Sequence, residues 1–147
     1  MERPMKRPRI RSVLASVAAC VVAATTFTLA GATPAAAIGQ ETFGCRIAPG
    51  VVFTWNTYCN NSAPASTYNV GFAVQNTSGS YTFAWSVSGP YQSINTGCTA
   101  TSPTCSVWVS GHSDSSIEAT VTYTQNGQSR TQTAYATVNR YCGSQLC

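Results

Sequence analysis

The chain has 147 residues, of which 44% are hydrophobic and only 8% charged, and it carries a formal net charge of +4, seven cysteines and a single histidine. That length suits one domain. A globular domain usually holds about a quarter of its residues as Asp, Glu, Lys or Arg, so functions that draw on many charges, such as gripping a phosphate backbone, start without their material.

The basic residues come first. Arg3, Lys6, Arg7, Arg9 and Arg11 are five of the eight, and no further charge follows until Glu41. Between them runs the apolar stretch VLASVAACVVAATTFTLAG, closed by Pro34-Ala35-Ala36-Ala37 with small residues before a cut after Ala37. A basic start, an apolar middle and an A-x-A exit predict a signal peptide over residues 1–37 and a secreted, extracellular product that leaves the membrane on processing. No Arg-Arg pair is present, which leaves the Sec-type route. Two readings compete: a membrane anchor, since a span needs roughly 20 apolar residues, and lipidation of Cys20 in the lipobox-like Val17-Ala18-Ala19-Cys20. Against the second, the residues after Cys20 stay apolar.

Beyond Ala37 stand 110 residues, in which Arg46, Arg130 and Arg140 balance Glu41, Asp114 and Glu118. The positive charge is a property of the leader, and without Lys and Arg to neutralise phosphates nucleic-acid binding loses its basis. Ser, Thr, Asn and Gln fill 46 of the 110 positions, which predicts a neutral, hydroxyl-rich surface. Cys45, Cys59, Cys98, Cys105, Cys142 and Cys147 remain, an even number in a small exported domain, and predict three disulfides. Proximity favours Cys45–Cys59, Cys98–Cys105 and Cys142–Cys147; the rival ties the chain ends together through Cys45 or Cys59 with Cys142 or Cys147. Structural zinc takes closely spaced Cys and His ligands. No C-x2-C pair exists and His112 is alone, so neither a metal nor a cofactor is expected.

From Ile38 onward the pattern is that of strands. Residues 38–66 hold an extended apolar start, Ile38 to Gly44, which reads either as the fold's own first strand or as a segment donated to a partner's sheet edge. A weaker strand from Val51 to Tyr58 follows the Pro49-Gly50 break. Residues 67–147 continue the same domain. Tyr68, Val70, Phe72 and Val74 alternate with smaller or polar neighbours, and after the turn formers Asn76 to Ser80 the set Tyr81, Phe83, Trp85 and Val87 does the same. These predict two strands joined by a hairpin-type turn. Between Val87 and Cys105 the residues are all turn chemistry, and Cys105 to Ser110 is a weak strand. Ile117, Ala119, Val121 and Tyr123 then alternate up to Asn126-Gly127, the dipeptide of a two-residue type I′ turn. Pairing across that turn sets Ala119 against Ala134 and Ile117 against Ala136, so both inward sets agree. About five to seven short strands without a helical period predict an all-β fold, a small two-sheet antiparallel sandwich. Its expected core is Phe53, Trp55, Val70, Phe72, Phe83, Trp85, Val107, Val109, Ile117 and Val121.

Two stretches carry a family likeness. Tyr81-Thr82-Phe83-Ala84-Trp85-Ser86-Val87 and the hairpin I-x-A-x-V-x-Y, turn, A-x-A-x-V are similar to the Y-x-W-x-V strand and the last two strands of bacterial immunoglobulin-like and polycystic-kidney-disease-type (PKD-like) sandwich domains. From about Thr67 to Val138 the chain resembles them. The resemblance implies an immunoglobulin-like arrangement and a non-catalytic role in adhesion, carbohydrate contact or protein contact. The extra cysteines and Ile38 to Tyr58 lie outside it.

No spacing forms an active site. His112 and Asp114, two residues apart in a Gly/Ser turn, read as loop closure, since a triad is recognised by geometry. Glycoside hydrolysis needs two flanking carboxyl groups, and Glu118 points outward on its strand. An enzyme is therefore not expected. What remains is a contact surface. Trp108 has the opposite parity to Val107 and Val109, and Tyr135 and Tyr141 the opposite parity to Ala134, Ala136 and Val138. With Phe43 before the first mature cysteine, these rings are the candidate binding residues, suited to sugar stacking or a protein hot spot. The leading expectation is a secreted adaptor or subunit that binds another extracellular protein. The alternatives are a hydrolase inhibitor acting through the Asn95 to Cys105 loop, and a carbohydrate or cell-wall binding module using Trp108 and the outward tyrosines.

Overall fold

Residues 38–50 and 54–147 are described by the computed structural model; the expected signal peptide, Cys20 and Phe53 lie outside the described residues. Among the described residues eight strands follow one another: β1 (Thr42–Ala48), β2 (Tyr58–Asn60), β3 (Thr67–Gln75), β4 (Thr82–Ser88), β5 (Ser93–Gly97), β6 (Thr104–Ser110), β7 (Ser115–Gln125) and β8 (Gln128–Val138). They form two four-stranded sheets, ordered β1-β3-β6-β5 and β2-β8-β7-β4. Every pairing is antiparallel except the short β2 with β8, where Tyr58, Cys59 and Asn60 run parallel to Tyr135, Ala136 and Thr137.

Period-two alternation builds the core, because successive strand residues point to opposite faces. Tyr68, Val70, Phe72 and Val74 from β3 are buried together with Val107 and Val109 from β6 and with Ile117, Ala119, Val121 and Tyr123 from β7. The β7–β8 register is the expected one, with Ala119 opposite Ala134 and Ile117 opposite Ala136. Asn126 and Gly127 both take positive φ, 51° and 77°, as a type I′ turn requires.

Several sequence expectations change. The Asn76 to Ser80 turn is not a hairpin: β3 and β4 lie in different sheets, so this segment carries the chain from one sheet to the other. Alternation reports that both strands bury one face, and facing sheets satisfy that as well as a shared one. The stretch read as turn chemistry contains β5, whose first four residues are exposed and which buries nothing; backbone pairing with β6 holds it, and no hydrophobic pattern marks it. Of the expected strand from Val51 to Tyr58, residues 51–53 lie outside the described residues, Thr54 to Thr57 belong to no strand, and β2 starts at Tyr58. Phe43, a candidate contact residue, is a core residue instead: β1 is the fold's own strand, paired with β3, and the Phe43 ring stacks at 6.3 Å on Phe72 and reaches Trp85 of the other sheet at 5.8 Å. Trp85 is half-buried, and Trp55 leaves the core list for the outer face.

The three cysteine pairs are the nearest ones along the chain: Cys45–Cys59, Cys98–Cys105 and Cys142–Cys147. Cys45 stands on β1 and Cys59 on β2, which belong to opposite sheets, so the first bridge staples the sandwich through its interior. The second closes the β5–β6 connection. That loop is also fastened to its surroundings, since Ala100 and Pro103 carbonyls accept from Phe83 and Val74 N–H groups and the Trp85 indole donates to the Ser102 carbonyl. These bonds brace the loop against the sandwich, while Thr99, Ala100, Thr101 and Thr104 stay exposed.

One buried carboxylate secures the start of β1. Glu41 is 4% exposed; it accepts hydrogen bonds from the Tyr81 hydroxyl and, at 2.8 Å, from the Gly39 N–H. Burial acts to raise its pKa, but the bonds from Tyr81 and the backbone, with Arg130 beyond, outweigh it and hold the carboxyl below its ordinary value. The same bond to Glu41, aided by burial, pushes Tyr81 from 10.0 up to about 12. A tyrosine that keeps its proton to higher pH when folded stabilises the fold fully below its unfolded pKa and loses that contribution as pH rises through the folded value. Melting temperature is therefore expected to fall between about pH 10 and about pH 12. In thermal melts across that window Tyr81→Phe should fall less steeply; Tyr123, raised by burial, sustains the remainder.

Candidate functional site

The outer face of the β1-β3-β6-β5 sheet carries the most structured surface feature. Strand register lines up Arg46 of β1, Gly71 of β3, Ser106 of β6 and Thr96 of β5 in one row across the sheet. The next row reads Ala48, Asn69, Trp108, Ser93. Without a side chain at Gly71, the first row dips at its centre.

Trp55 reaches this face from the segment before β2. The Cys45 N–H donates to the Asn56 carbonyl at 2.8 Å, which pins the segment along the open edge of β1. The crossing is close: a Cβ at Gly44 would stand 2.8 Å from the Asn56 nitrogen and 2.9 Å from the Trp55 carbonyl carbon, so only glycine fits there. The Trp55 indole then extends over Gly71, its Cη2 being 3.9 Å from where a Gly71 side chain would begin. The Arg46 guanidinium lies over the ring at 4.5 Å from its centroid, within cation–π range.

These residues enclose a trough of about 260 Å³. Trp55 and Arg46 bound it on the β1 side and Thr96 on the β5 side, with Gly71, Asn69 and Ser106 between them. The Asn69 Nδ2 is buried without a hydrogen-bond partner. A buried unmet donor costs about 1–3 kcal/mol, a cost that the fold carries at the wall of the trough. Among the described residues the lining contains no carboxylate, imidazole or free thiol, Cys105 being bonded to Cys98. Such a site can hold and orient a molecule through an aromatic wall, hydroxyls, an amide and one cation. Two larger depressions, about 540 and 360 Å³, lie at the β7–β8 turn beside Ile38 and Arg130 and beneath the Thr77 to Tyr81 connection. Neither combines an indole with an unmet polar group.

The residues singled out from sequence are dispersed. Trp108 stands on the outer face as its parity predicts, 38% exposed, one row from Gly71 and paired with Asn69. Tyr135 is on the opposite outer face, where it stacks at 5.4 Å on Tyr58, itself 73% exposed. Tyr141 lies near the C-terminus, its ring 5.5 Å from His112. His112 and Asp114 hold different partners: the Asp114 carboxylate accepts from the Arg140 N–H at 2.8 Å. Sequence reasoning missed Trp55 as a surface residue and missed Arg46, Asn69 and Gly71. The available signal was Gly71, since a glycine inside an otherwise regular strand marks a close approach of something else.

Gly71 separates fold from function experimentally. Its φ is ordinary, and an added methyl would sit 3.9 Å from Trp55 and 4.0 Å from the Ser106 Cβ, plain van der Waals contacts. Glycine in a strand interior costs roughly 0.5–1 kcal/mol relative to alanine. Gly71→Ala should therefore raise stability in chemical denaturation by about that amount while filling the trough and weakening whatever it holds. No family model, curated protein or solved structure matches the chain.

Proposed function

We propose that the protein is an exported, non-catalytic binding module that holds a carbohydrate in the trough beside Trp55. The observation that carries this is the composition of the trough: an indole wall, hydroxyl-bearing Thr96 and Ser106, and the unpartnered Asn69 amide around a glycine floor. A sugar ring has apolar C–H faces and a rim of hydroxyls, and amphipathic aromatic walls with a few placed polar groups match both. The volume, about 260 Å³, is below the roughly 300–1,000 Å³ of drug-sized sites and suits one ring of a longer chain lying across the sheet, with Trp108 as a neighbouring platform. Export is supported by the three disulfides, which persist in oxidising compartments, together with the leader-like residues 1–37. The strand orders β1-β3-β6-β5 and β8-β7-β4 correspond to the ABED and GFC sheets of constant-type immunoglobulin domains, which supports the family resemblance of the sequence.

Affinity electrophoresis in gels containing soluble plant and bacterial cell-wall polysaccharides tests the proposal. At least one glycan should retard the protein, and Trp55→Ala should weaken that binding tenfold or more, a change of about 1.4 kcal/mol. Uniform mobility in every glycan overturns it. A protein partner is favoured by a different observation, the Tyr58 and Tyr135 pair on the other sheet, with Tyr58 at 73% exposure. Tyrosine is enriched at hot spots, so a co-purifying partner lost in Tyr58→Ala would support the adaptor expectation.

A further inference from the structure

Resting on the carbohydrate reading of the trough, we infer that its ligand is a glycan bearing an oxyanion, a carboxylate or phosphate group on or beside the ring, which Arg46 grips. Among the described residues, Arg46 is the one charged residue of the lining. Its guanidinium lies over the Trp55 ring, the central carbon 4.5 Å from the ring centroid. A planar, delocalised guanidinium presents its N–H donors in a rigid fork that matches a carboxylate or phosphate.

Among the described residues, the three side-chain carboxylates lie elsewhere. Glu41 is buried against Tyr81, Asp114 accepts from the Arg140 backbone, and Glu118 sits on the outer face of the other sheet opposite Tyr135. Among the described residues no side chain or backbone acceptor hydrogen-bonds the Arg46 guanidinium. The surrounding surface is neutral, so a single cation beside a sugar-sized trough imposes a choice: a neutral ring would lie against Trp55 and leave the guanidinium in water, whereas an acidic ring would use both. Next to it, the unmet Asn69 Nδ2 adds a second donor for the same kind of oxygen-rich ligand.

The experiment compares the full chain on three probes by affinity electrophoresis and calorimetry: polygalacturonate as a carboxylate polymer, poly(glycerol phosphate) as a phosphate polymer, and xylan as a neutral one. At least one anionic polymer should bind ten times more tightly than xylan, and which of the two does so identifies the oxyanion. Arg46→Gln should bring the anionic affinity down to that for xylan, while Arg46→Lys, which keeps the charge without the fork, should fall between. Circular dichroism verifies that both variants fold, as expected for an exposed position. Equal binding of the three polymers, or a preference that survives Arg46→Gln, overturns the role of Arg46 and leaves carbohydrate binding standing. Binding of none of these polymers, nor of any glycan in the wider panel above, overturns the carbohydrate reading itself.

Discussion

Replacing Cys45 and Cys59 together by alanine is expected to cost about 3 kcal/mol of unfolding free energy, because the bridge closes a loop of about 15 residues in the unfolded chain. The native side adds to this. Both cysteines are buried, and the bridge joins the first strands of opposite sheets, which are otherwise tied only by the backbone bridge between Cys45 and Asn56. For a domain of about this size such a loss lowers the melting temperature by roughly 10–20 °C. Replacing Cys142 and Cys147 by serine should cost less than about 1 kcal/mol, since the five-residue separation they close is exposed and lies outside both sheets, where it can open while the sandwich stays folded. Denaturant titrations of the two double variants measure the contrast. Equal losses would mean that the C-terminal loop unfolds together with the sandwich.

Gly111→Ala is expected to be as severe, about 3 kcal/mol, the upper range for forcing atoms into a filled site. The Cβ would stand 2.0 Å from the Ala65 carbonyl oxygen and 2.8 Å from the Tyr68 ring. Those neighbours cannot yield. Tyr68 is fully buried, and its hydroxyl donates to the Ala63 carbonyl at 2.8 Å while accepting from the Ala65 N–H at 2.9 Å. Gly111 itself donates to the Ser66 carbonyl and accepts from the Tyr141 N–H, both at 2.8 Å. Displacing the 63–66 segment would break this clamp and expose unpaired backbone groups. Thermal melts provide the measurement, and Tyr68→Phe, which keeps the ring but removes both hydroxyl bonds, should reproduce about 1–3 kcal/mol of the loss.

What was legible in the sequence was local or periodic. Asn126-Gly127 sits inside the hairpin it makes, so the register of β7 and β8 could be derived to the residue, and the alternating sets from Tyr68 to Val74 and from Ile117 to Tyr123 reported their burial directly. The cysteine pairs followed from proximity because each closes a short loop. What was not legible depends on contacts between distant segments. β5 has no buried face to announce it. The crossover between β3 and β4 leaves the same alternation as a hairpin. Phe43 looked like an exposed terminal aromatic until β1 paired with β3 and turned it inward. Trp55 looked like core, and only the close passage of its segment over Gly44, with the vacancy above Gly71, explains why its ring lies outside. The candidate site was therefore half readable: Trp108 announced its exposure by parity, whereas the trough exists only once four strands are side by side.

The most direct measurement is chemical-shift mapping of the labelled protein titrated with soluble oligosaccharides of the glycan that retards it. The largest changes are expected at the Trp55 indole N–H, the Asn69 side-chain amide, and the backbone amides of Arg46 and Gly71, with the Tyr58 and Tyr135 face unperturbed. Changes confined to the Tyr58 and Tyr135 face, or an Asn69 amide that does not move at saturation, would contradict a sugar held in the trough.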